Sequence, residues 1–418
     1  MAPVSGALIL SVSAGHLAGP GDEAGRQVAQ ALLAHGLPVA SRQVVDEDEP
    51  ALEAALRGAV GAYGLIVILG GGGGSGGEIV RRVLARVTGA RLILNERLLA
   101  TLEAVHARRD RPMPRRDDRL ALVPQGAVLW SVEGEEPGWL LETELSAVAV
   151  LPAGSPDLSD LVTRHLLPYA RERLGKEAVL VRTLRTVGLT PSDVEERIGP
   201  WLGGSGEVSV TCCPVEGEVW VRLYARAASL PLAEAVLREV EAPVAEALGV
   251  DCYGRDQESL EGVVGRLLGE RRLALSVAES CTGGLLGHRI TNVSGSSAYF
   301  ERGVVTYSNR AKEELLGVPH RLLVAHGAVS AAVAEAMARG ICRASQTPLG
   351  LAITGVAGPE GGTRAKPVGT VFVALAFPGG AEVRRFLFAG GRESIKWQSA
   401  QMALDLLRRW LLKEKRSG

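Results

Sequence analysis

Aromatic side chains are few in this chain: six Trp, six Tyr and five Phe among 418 residues. Its cores must therefore be filled by Ala, Val and Leu, a composition that favours α/β layers. Cysteine is sparse too. Five Cys, an odd number with no CxxC pair, give neither a disulfide framework nor a zinc pattern, and they fit a reducing, cytoplasmic compartment. Charge of neither sign dominates: 46 basic residues stand against 47 acidic ones, so no basic excess marks a nucleic-acid binder. Lysine is rare, six of those 46 (Lys176, Lys312, Lys366, Lys396, Lys413 and Lys415), so each Lys in a polar motif draws notice. No run reaches the roughly 18 apolar residues of a membrane span. The first ten residues lack a basic n-region and read as a strand rather than a signal peptide. What is abundant is glycine, 52 residues, without the three-residue period of collagen. Hydrophobic residues make up 46%, which excludes a disordered chain. The length implies two or three domains.

The first ~170 residues alternate strand and helix. Ala7–Val12, Pro38–Val45 and Leu65–Leu69 read as strands, and Glu23–His35 and Glu49–Val60 as helices. Leu69 runs into Gly70-Gly-Gly-Gly-Gly-Ser-Gly-Gly77, and a helix is expected over Glu78–Val87. That order implies a parallel, doubly wound sheet with its ligand site at the carboxyl ends of the strands. From Glu177 to Val250 the pattern becomes a small α+β module. Within it Thr190 caps a helix that has Pro191 at its first position and Asp193 in its first turn. Asp251–Ser259 reads as a polar connector. A third, α/β unit follows, with strands over Leu273–Ala278, Gly303–Tyr307, Leu349–Thr354 and Gly369–Phe377. Its helices are expected over Leu260–Leu268, Lys312–Leu316, Ser330–Ala344 and Arg392–Leu412.

The chemistry gathers at the strand ends of that third unit. Ala278-Glu-Ser-Cys-Thr-Gly-Gly284 places three adjacent nucleophile types, Ser280, Cys281 and Thr282, at a strand-to-helix turn. Gly283 and Gly284 allow close backbone approach, and free N–H groups there suit an oxyanion. The same pattern also suits a plain helix cap with turn glycines. Lys312 follows Val304-Val-Thr-Tyr-Ser-Asn309 at the start of a helix. A buried lysine can give up its proton and act as a base, whereas a guanidinium cannot, and Ser–Lys is a known nucleophile–base pair. On an exposed helix face it would be only a solvated charge. The glycine loop after Ile353 is neither a Walker A sequence nor a GxGxxG, and a simple hairpin loop would look the same.

Six segments in order resemble the carboxy-terminal domain of the CinA family over about residues 255–415: AESCTGG (278–284), GSSAYFERG (295–303), VVTYSN-x-x-K (304–312), HGAVS (326–330), ITGVAGPEGGT (353–363) and KPVGTV (366–371). The resemblance implies a PncC-type nicotinamide-nucleotide amidase. Such an enzyme converts nicotinamide mononucleotide to nicotinate mononucleotide and ammonia in pyridine-nucleotide salvage. It implies Ser280 as nucleophile, Lys312 as base, and Tyr307 and Ser297 as partners in a proton relay. The substrate would be bound by Glu279, Cys281, Thr282, Gly283, Gly284, Ser296, Asn309, Thr354, Gly355, Ala357, Gly358, Gly361 and Arg392. The Thr354–Gly362 loop and Arg392 would take its phosphate and ribose. No metal or other cofactor is required by that scheme. A homodimer is implied, with no nucleic-acid or membrane partner. One departure is Gly390-Gly-Arg392, where the family often has Gly-Asp-Arg.

Residues 1–172 resemble the family's MoaB-like, molybdopterin-binding-fold domain, and 173–252 its KH-like module. In some members the first domain is a metal-dependent ADP-ribose pyrophosphatase, which needs carboxylates for divalent ions. Here the GGLGPT-x-DD loop is replaced by glycines and Glu78, the first-strand loop Ser13-Ala-Gly15 has no carboxylate, and PG-x-P-x-E becomes Pro152-Ala-Gly-Ser-Pro-Asp157. The expectation is a domain that has lost or weakened that activity, a divalent metal being required only if it is active. The middle module lacks an evident GxxG loop with basic flanks, so RNA binding is not expected. The fold class expected is α/β in three domains: doubly wound MoaB-like, α+β KH-like, and an α/β amidase domain. Alternatives are a working amino-terminal pyrophosphatase, or a non-enzymatic nucleotide-binding or competence-related protein.

Overall fold

A computed structural model describes residues 4–13, 22–70, 74–108, 110, 112–130, 137–156, 158–174, 178–204, 206–215 and 217–414. The chain forms two compact units, one of residues 1–181 and 224–238, the other of 182–223 and 239–418.

The first unit opens with β1 (Val4–Val12), α1 (Glu23–Ala34), β2 (Val39–Val45), α2 (Glu49–Ala59), β3 (Tyr63–Leu69) and α3 (Gly74–Thr88). It continues with β4 (Leu92–Leu94), α4 (Glu96–Arg108), β5 (Leu122–Pro124), β6 (Val128–Trp130), β7 (Gly138–Glu142), β8 (Ala147–Leu151), α5 (Leu158–Leu161) and α6 (Leu167–Leu174). Six strands make one sheet in the order β2-β1-β3-β8-β7-β6. β2, β1, β3 and β8 run parallel, as expected, but β7 and β6 add an antiparallel edge. Alternation along β1 divides its residues between two cores. Ala7 and Ile9 join Val28 and Leu32 of α1, whereas Leu8 and Leu10 join Leu52 and Leu56 of α2 and Val80 and Leu84 of α3. Burial on both faces is why the strand reads as an unbroken apolar run. Helix α3 begins at Gly74, four residues before the expected start, inside the glycine run. Residues 71–73 of that run lie outside the described residues.

The middle sheet is formed by β9 (Ala178–Val187), β10 (Val208–Val215), β11 (Glu218–Ala227) and β12 (Cys252–Arg255), in the order β10-β11-β9-β12. Its helices are α7 (Pro191–Ile198) and α8 (Leu230–Leu248). The Thr190 side chain accepts from the Asp193 N–H and Asp193 returns the bond to Thr190, a complete capping box. The expected connector at 251–259 contains a strand instead: β12 pairs antiparallel with β9.

The carboxy-terminal part runs α9 (Leu260–Arg271), β13 (Leu275–Glu279), α10 (Leu285–Thr291), β14 (Phe300–Val305), α11 (Asn309–Leu316) and α12 (His320–His326). It then runs α13 (Ala331–Ser345), β15 (Leu349–Gly355), β16 (Thr370–Phe377), β17 (Gly380–Leu387) and α14 (Arg392–Glu414). The sheet order is β14-β13-β15-β16-β17, with β13 parallel to both its neighbours and the last two strands antiparallel. Leu275 and Val277 pack with Val264 and Leu268 of α9 and Leu404 and Leu407 of α14. Ala278, on the opposite face, packs with Val333, Met337 and Ile341 of α13. Each fully buried Leu, Ile or Val contributes about 1.5–3 kcal/mol, which fixes β13 between two helical layers. Among the described residues, no helix is long and apolar enough to cross a membrane.

Candidate active site

The parallel register of β13 and β14 builds the site. Glu279 lies opposite Val305, so the residues that leave the two strands, Ser280 and Thr306, are neighbours. The Thr306 N–H donates to Glu279 O at 2.7 Å, and the Ser280 N–H donates to Ile353 O at 3.0 Å on the other side. Ser280 is thereby held by both flanking strands. After Thr306 the chain turns, Ser308 caps α11 by accepting from the Ala311 N–H at 3.1 Å, and the first helical turn carries Lys312 back under the sheet edge.

Lys312 is 1% exposed. Its Nζ lies 3.1 Å from Ser280 Oγ and donates to Thr306 O at 2.7 Å. Burial penalises the ammonium form and holds Lys312 below the ordinary lysine pKa, against an opposing pull from the neighbouring Cys281. A neutral Nζ has two hydrogens and a lone pair. With one N–H on Thr306 O, the lone pair is available to the Ser280 hydroxyl proton. Thr306, whose carbonyl orients the amine, is not among the residues that the sequence picked out, because a backbone acceptor leaves no side-chain signal.

Cys281 is buried, and burial pushes its thiol up to about 11, so at neutral pH it is a thiol rather than a nucleophilic thiolate. Thr282 is fully buried and its hydroxyl has no partner among the described residues. Of the three adjacent nucleophile types, Ser280 is the one hydrogen-bonded to Lys312 among the described residues. The turn after it relies on glycine: Gly283 has φ +64° and Gly284 φ +99°. Gly283 N–H is used by Ser280 O and Gly284 N–H by Glu279. Among the described residues the Thr282 N–H donates to no backbone carbonyl, while the Cys281 N–H lies against its own thiol; both groups directly follow Ser280 in the chain.

Several expected substrate contacts are structural instead. Glu279 is 2% exposed, and its carboxylate accepts three backbone N–H groups, from Gly284 and Leu286 at 3.0 Å and Gly287 at 2.8 Å. It fixes the start of α10 and has no free face for a ligand. Thr354 is buried and donates its hydroxyl proton to Ala328 O at 2.9 Å, tying β15 to the loop before α13. Gly355 is there for packing: a Cβ would stand 2.7 Å from Val371 Cγ2 and 2.8 Å from Thr370 O. Ala357 is buried. The proposed relay is not assembled. Tyr307 is 63% exposed, and its hydroxyl accepts from Arg392 Nη2 at 3.1 Å. Ser297 is exposed in the turn Ser296–Ala298 and hydrogen-bonds to neither Ser280 nor Lys312. Asn309 is exposed at the first position of α11, and Ser296 is half-buried. Gly358 and Gly361 lie in the loop after β15, and Gly358 O accepts from Arg392 Nη1 at 2.7 Å. Arg392, at the start of α14, therefore joins that loop to Tyr307.

Two carboxylates described in the first unit are engaged by arginines. Glu78 is paired with Arg82 and Arg119 at 3.5 and 3.7 Å. Asp22 caps α1 through the Gly25 N–H and pairs with Arg42 at 3.1 Å. No group of three His, Cys, Asp or Glu side chains able to hold a metal occurs among the described residues. Asp157 lies outside them.

Fold and site together define a three-part α/β chain whose last part carries a buried serine–lysine pair at the carboxyl ends of parallel strands. Family profiles match all three parts: "Probable molybdopterin binding domain" over 8–172, "Damage-inducible protein CinA KH domain" over 181–254 and "CinA C-terminal domain" over 257–411. A relative from Moorella thermoacetica, named as a competence-damage inducible protein, is 40% identical over 387 residues, covering 91% of this chain and 92% of its own. A CinA-like protein of Geobacter sulfurreducens is 38% identical over 388 residues, covering 92% and 94%. Among solved structures, a CinA superfamily protein from Klebsiella pneumoniae is 38% identical, covering 37% of this chain and 96% of its own at a TM-score of 0.36. The chain belongs to the CinA family.

Proposed function

We propose that the carboxy-terminal domain hydrolyses the carboxamide of nicotinamide mononucleotide to nicotinate mononucleotide and ammonia. The observation that carries this reading is the buried Lys312 amine 3.1 Å from Ser280 Oγ. Ser280 Oγ attacks the carboxamide carbon while its proton passes to the neutral Lys312 Nζ. The carbonyl oxygen becomes an oxyanion on the N–H groups of Cys281 and Thr282. An amide anion is a poor leaving group, so Lys312 returns the proton to the nitrogen as the C–N bond breaks, releasing ammonia and leaving an ester on Ser280. Water then attacks the ester, Lys312 takes one of its protons, and Ser280 Oγ regains that proton as the carboxylic acid leaves and ionises in water. The resemblance to PncC-type amidases names the substrate, and the dyad supports the reaction class. Purified full-length protein incubated with nicotinamide mononucleotide should release ammonia and nicotinate mononucleotide in equal amounts. Absence of both products at micromolar enzyme would overturn the reading.

A further inference from the structure

Glu218 opens β11 of the middle sheet, and its carboxylate is buried. Four donors converge on it. Three stand on the same sheet: Tyr253 Oη and Trp220 Nε1, each at 2.7 Å, and Arg185 Nη2 at 3.2 Å. The fourth is Gln401 Nε2 of α14, at 2.6 Å. The other end of that amide, Gln401 Oε1, accepts from Arg289 Nη2 of α10, also at 2.6 Å. Gln401 is buried, and a carboxylate on one side with a guanidinium on the other allows its amide a single orientation. Arg289 is buried as well, its guanidinium 4.3 Å from the centre of the Trp397 ring. Among the described residues its hydrogen bonds leave from Nη2 alone, one to Gln401 and one to Glu261 Oε2 at 2.7 Å, while Nε and Nη1 make none. One of the two hydrogen bonds that aim this arginine is therefore set by Glu218 through Gln401. Helix α10 has only seven residues. Its amino end is tied to Glu279, the residue before Ser280, by the N–H groups of Gly284, Leu286 and Gly287, and Arg289 stands two positions further on. The segment that begins at Ser280 is thus pinned by Glu279 at one end and by Arg289 at the other.

We propose that Glu218 is a positioning residue for Ser280: through Gln401 and Arg289 the middle sheet braces α10, and with it the turn that carries the nucleophile. Glu218 hydrogen-bonds to neither Ser280 nor Lys312, so its effect passes through the brace. That role rests on Ser280 being the nucleophile of the function proposed above, and not on which amide is cleaved. A buried network of this kind is felt as a unit, because removing one member leaves the others without partners.

The test reads Ser280 directly, as the rate at which its Oγ attacks a fluorophosphonate probe at phosphorus with loss of fluoride, in full-length protein. Glu218→Gln leaves one carbonyl oxygen for the four donors. Labelling should slow about ten- to a hundredfold, the effect of a displacement of about 1 Å. Amide exchange at Leu286 and Gly287 should quicken about tenfold, with no change in α13 on the opposite face of the sheet. In Glu218→Gln/Gln401→Glu the carboxylate moves to position 401, where it accepts from Arg289 and from the new amide, and labelling should return to within about threefold of wild type. Tyr253→Phe takes a hydrogen bond from the same carboxylate but spares the path to α10, and should alter labelling less than about twofold. An equal loss in Tyr253→Phe, or no rescue by the exchanged pair, reduces Glu218 to general stability and overturns the proposal. Wild-type labelling and exchange in Glu218→Gln overturn it too. Should Glu218→Gln not fold, Gln401→Leu is compared with Tyr253→Phe by the same criteria. Turnover of nicotinamide mononucleotide, measured alongside, should lose kcat while KM stays within about twofold. Braced labelling without hydrolysis of that nucleotide keeps the brace and removes the substrate. Hydrolysis with unchanged labelling in Glu218→Gln keeps the substrate and removes the brace.

Discussion

Replacing Glu279 by Gln changes one oxygen to an amide nitrogen and removes one charge, in a side chain that is 2% exposed. The native Oε2 accepts from Gly284 and Leu286, and Oε1 from Gly287. If the glutamine carbonyl takes the place of Oε2, two bonds persist but become neutral and lose about half their strength. The third becomes a donor facing a donor, and a buried N–H left without a partner costs about 1–3 kcal/mol. The total is about 3–5 kcal/mol, concentrated on the turn that follows Ser280. Amide hydrogen exchange reads this directly: protection at Gly284, Leu286 and Gly287 should fall about a hundredfold or more, with far smaller changes in β15. Turnover of nicotinamide mononucleotide should fall alongside, about a hundredfold, because the turn that holds Ser280 is displaced although neither Ser280 nor Lys312 is itself replaced. If the three amides exchange as in wild type while KM alone rises, Glu279 is a substrate ligand and the reasoning fails.

Other consequences follow from the same geometry. Because Lys312 must be neutral to accept a proton and burial lowers its pKa, kcat/KM should rise with pH to a plateau reached below the ~10.4 of free lysine. A limb at or above the free-lysine value would contradict a buried base. Cys281, pushed up to about 11, should resist iodoacetamide in native protein at mildly alkaline pH and react once urea unfolds the chain. Rapid native labelling would show that the thiol is exposed or activated. Gly355→Ala forces a Cβ against Val371 and the Thr370 carbonyl, and should cost about 1–3 kcal/mol in urea unfolding monitored through Trp397 or Trp410. An unchanged midpoint would mean that β15 and β16 can separate without penalty.

Much of the fold is legible along the chain, and the exceptions have physical causes. The capped helices α1, α2 and α7 announce themselves because Asp22, Asp48 and Thr190 use local chemistry. The central strands β1, β3, β13 and β15 are legible because burial on both faces demands unbroken apolar runs. β12 is missed because four residues with Gly254 and Arg255 carry no alternation, and its pairing with β9 is decided by partners about 70 residues away. β17 is missed because Glu382, Arg384 and Arg385 occupy an edge strand open to solvent on one side. Strand direction is a tertiary property, so the antiparallel strands at the edges of both large sheets leave no trace in periodicity.

The site divides in the same way. Ser280 and Lys312 are legible because reactive side chains stand in glycine and polar turns at strand ends. Their closeness is set by the Glu279–Val305 register, which no local pattern contains. Glu279 and Thr354 look like ligands in the sequence because a buried polar residue beside a motif does not reveal whether it faces the substrate or the backbone. Glu218 lacks a motif of its own, and its relevance emerges only where β11 meets α14.

A serine–lysine catalytic pair makes both Ser280 and Lys312 indispensable to hydrolysis of the amide. The most direct measurement is ammonia release from nicotinamide mononucleotide by full-length wild type, Ser280→Ala and Lys312→Met, each checked for native circular dichroism. Turnover is expected in wild type and a loss of about a thousandfold or more in either variant, with the double variant hardly worse than the singles. Turnover at the wild-type rate in both single variants would contradict it.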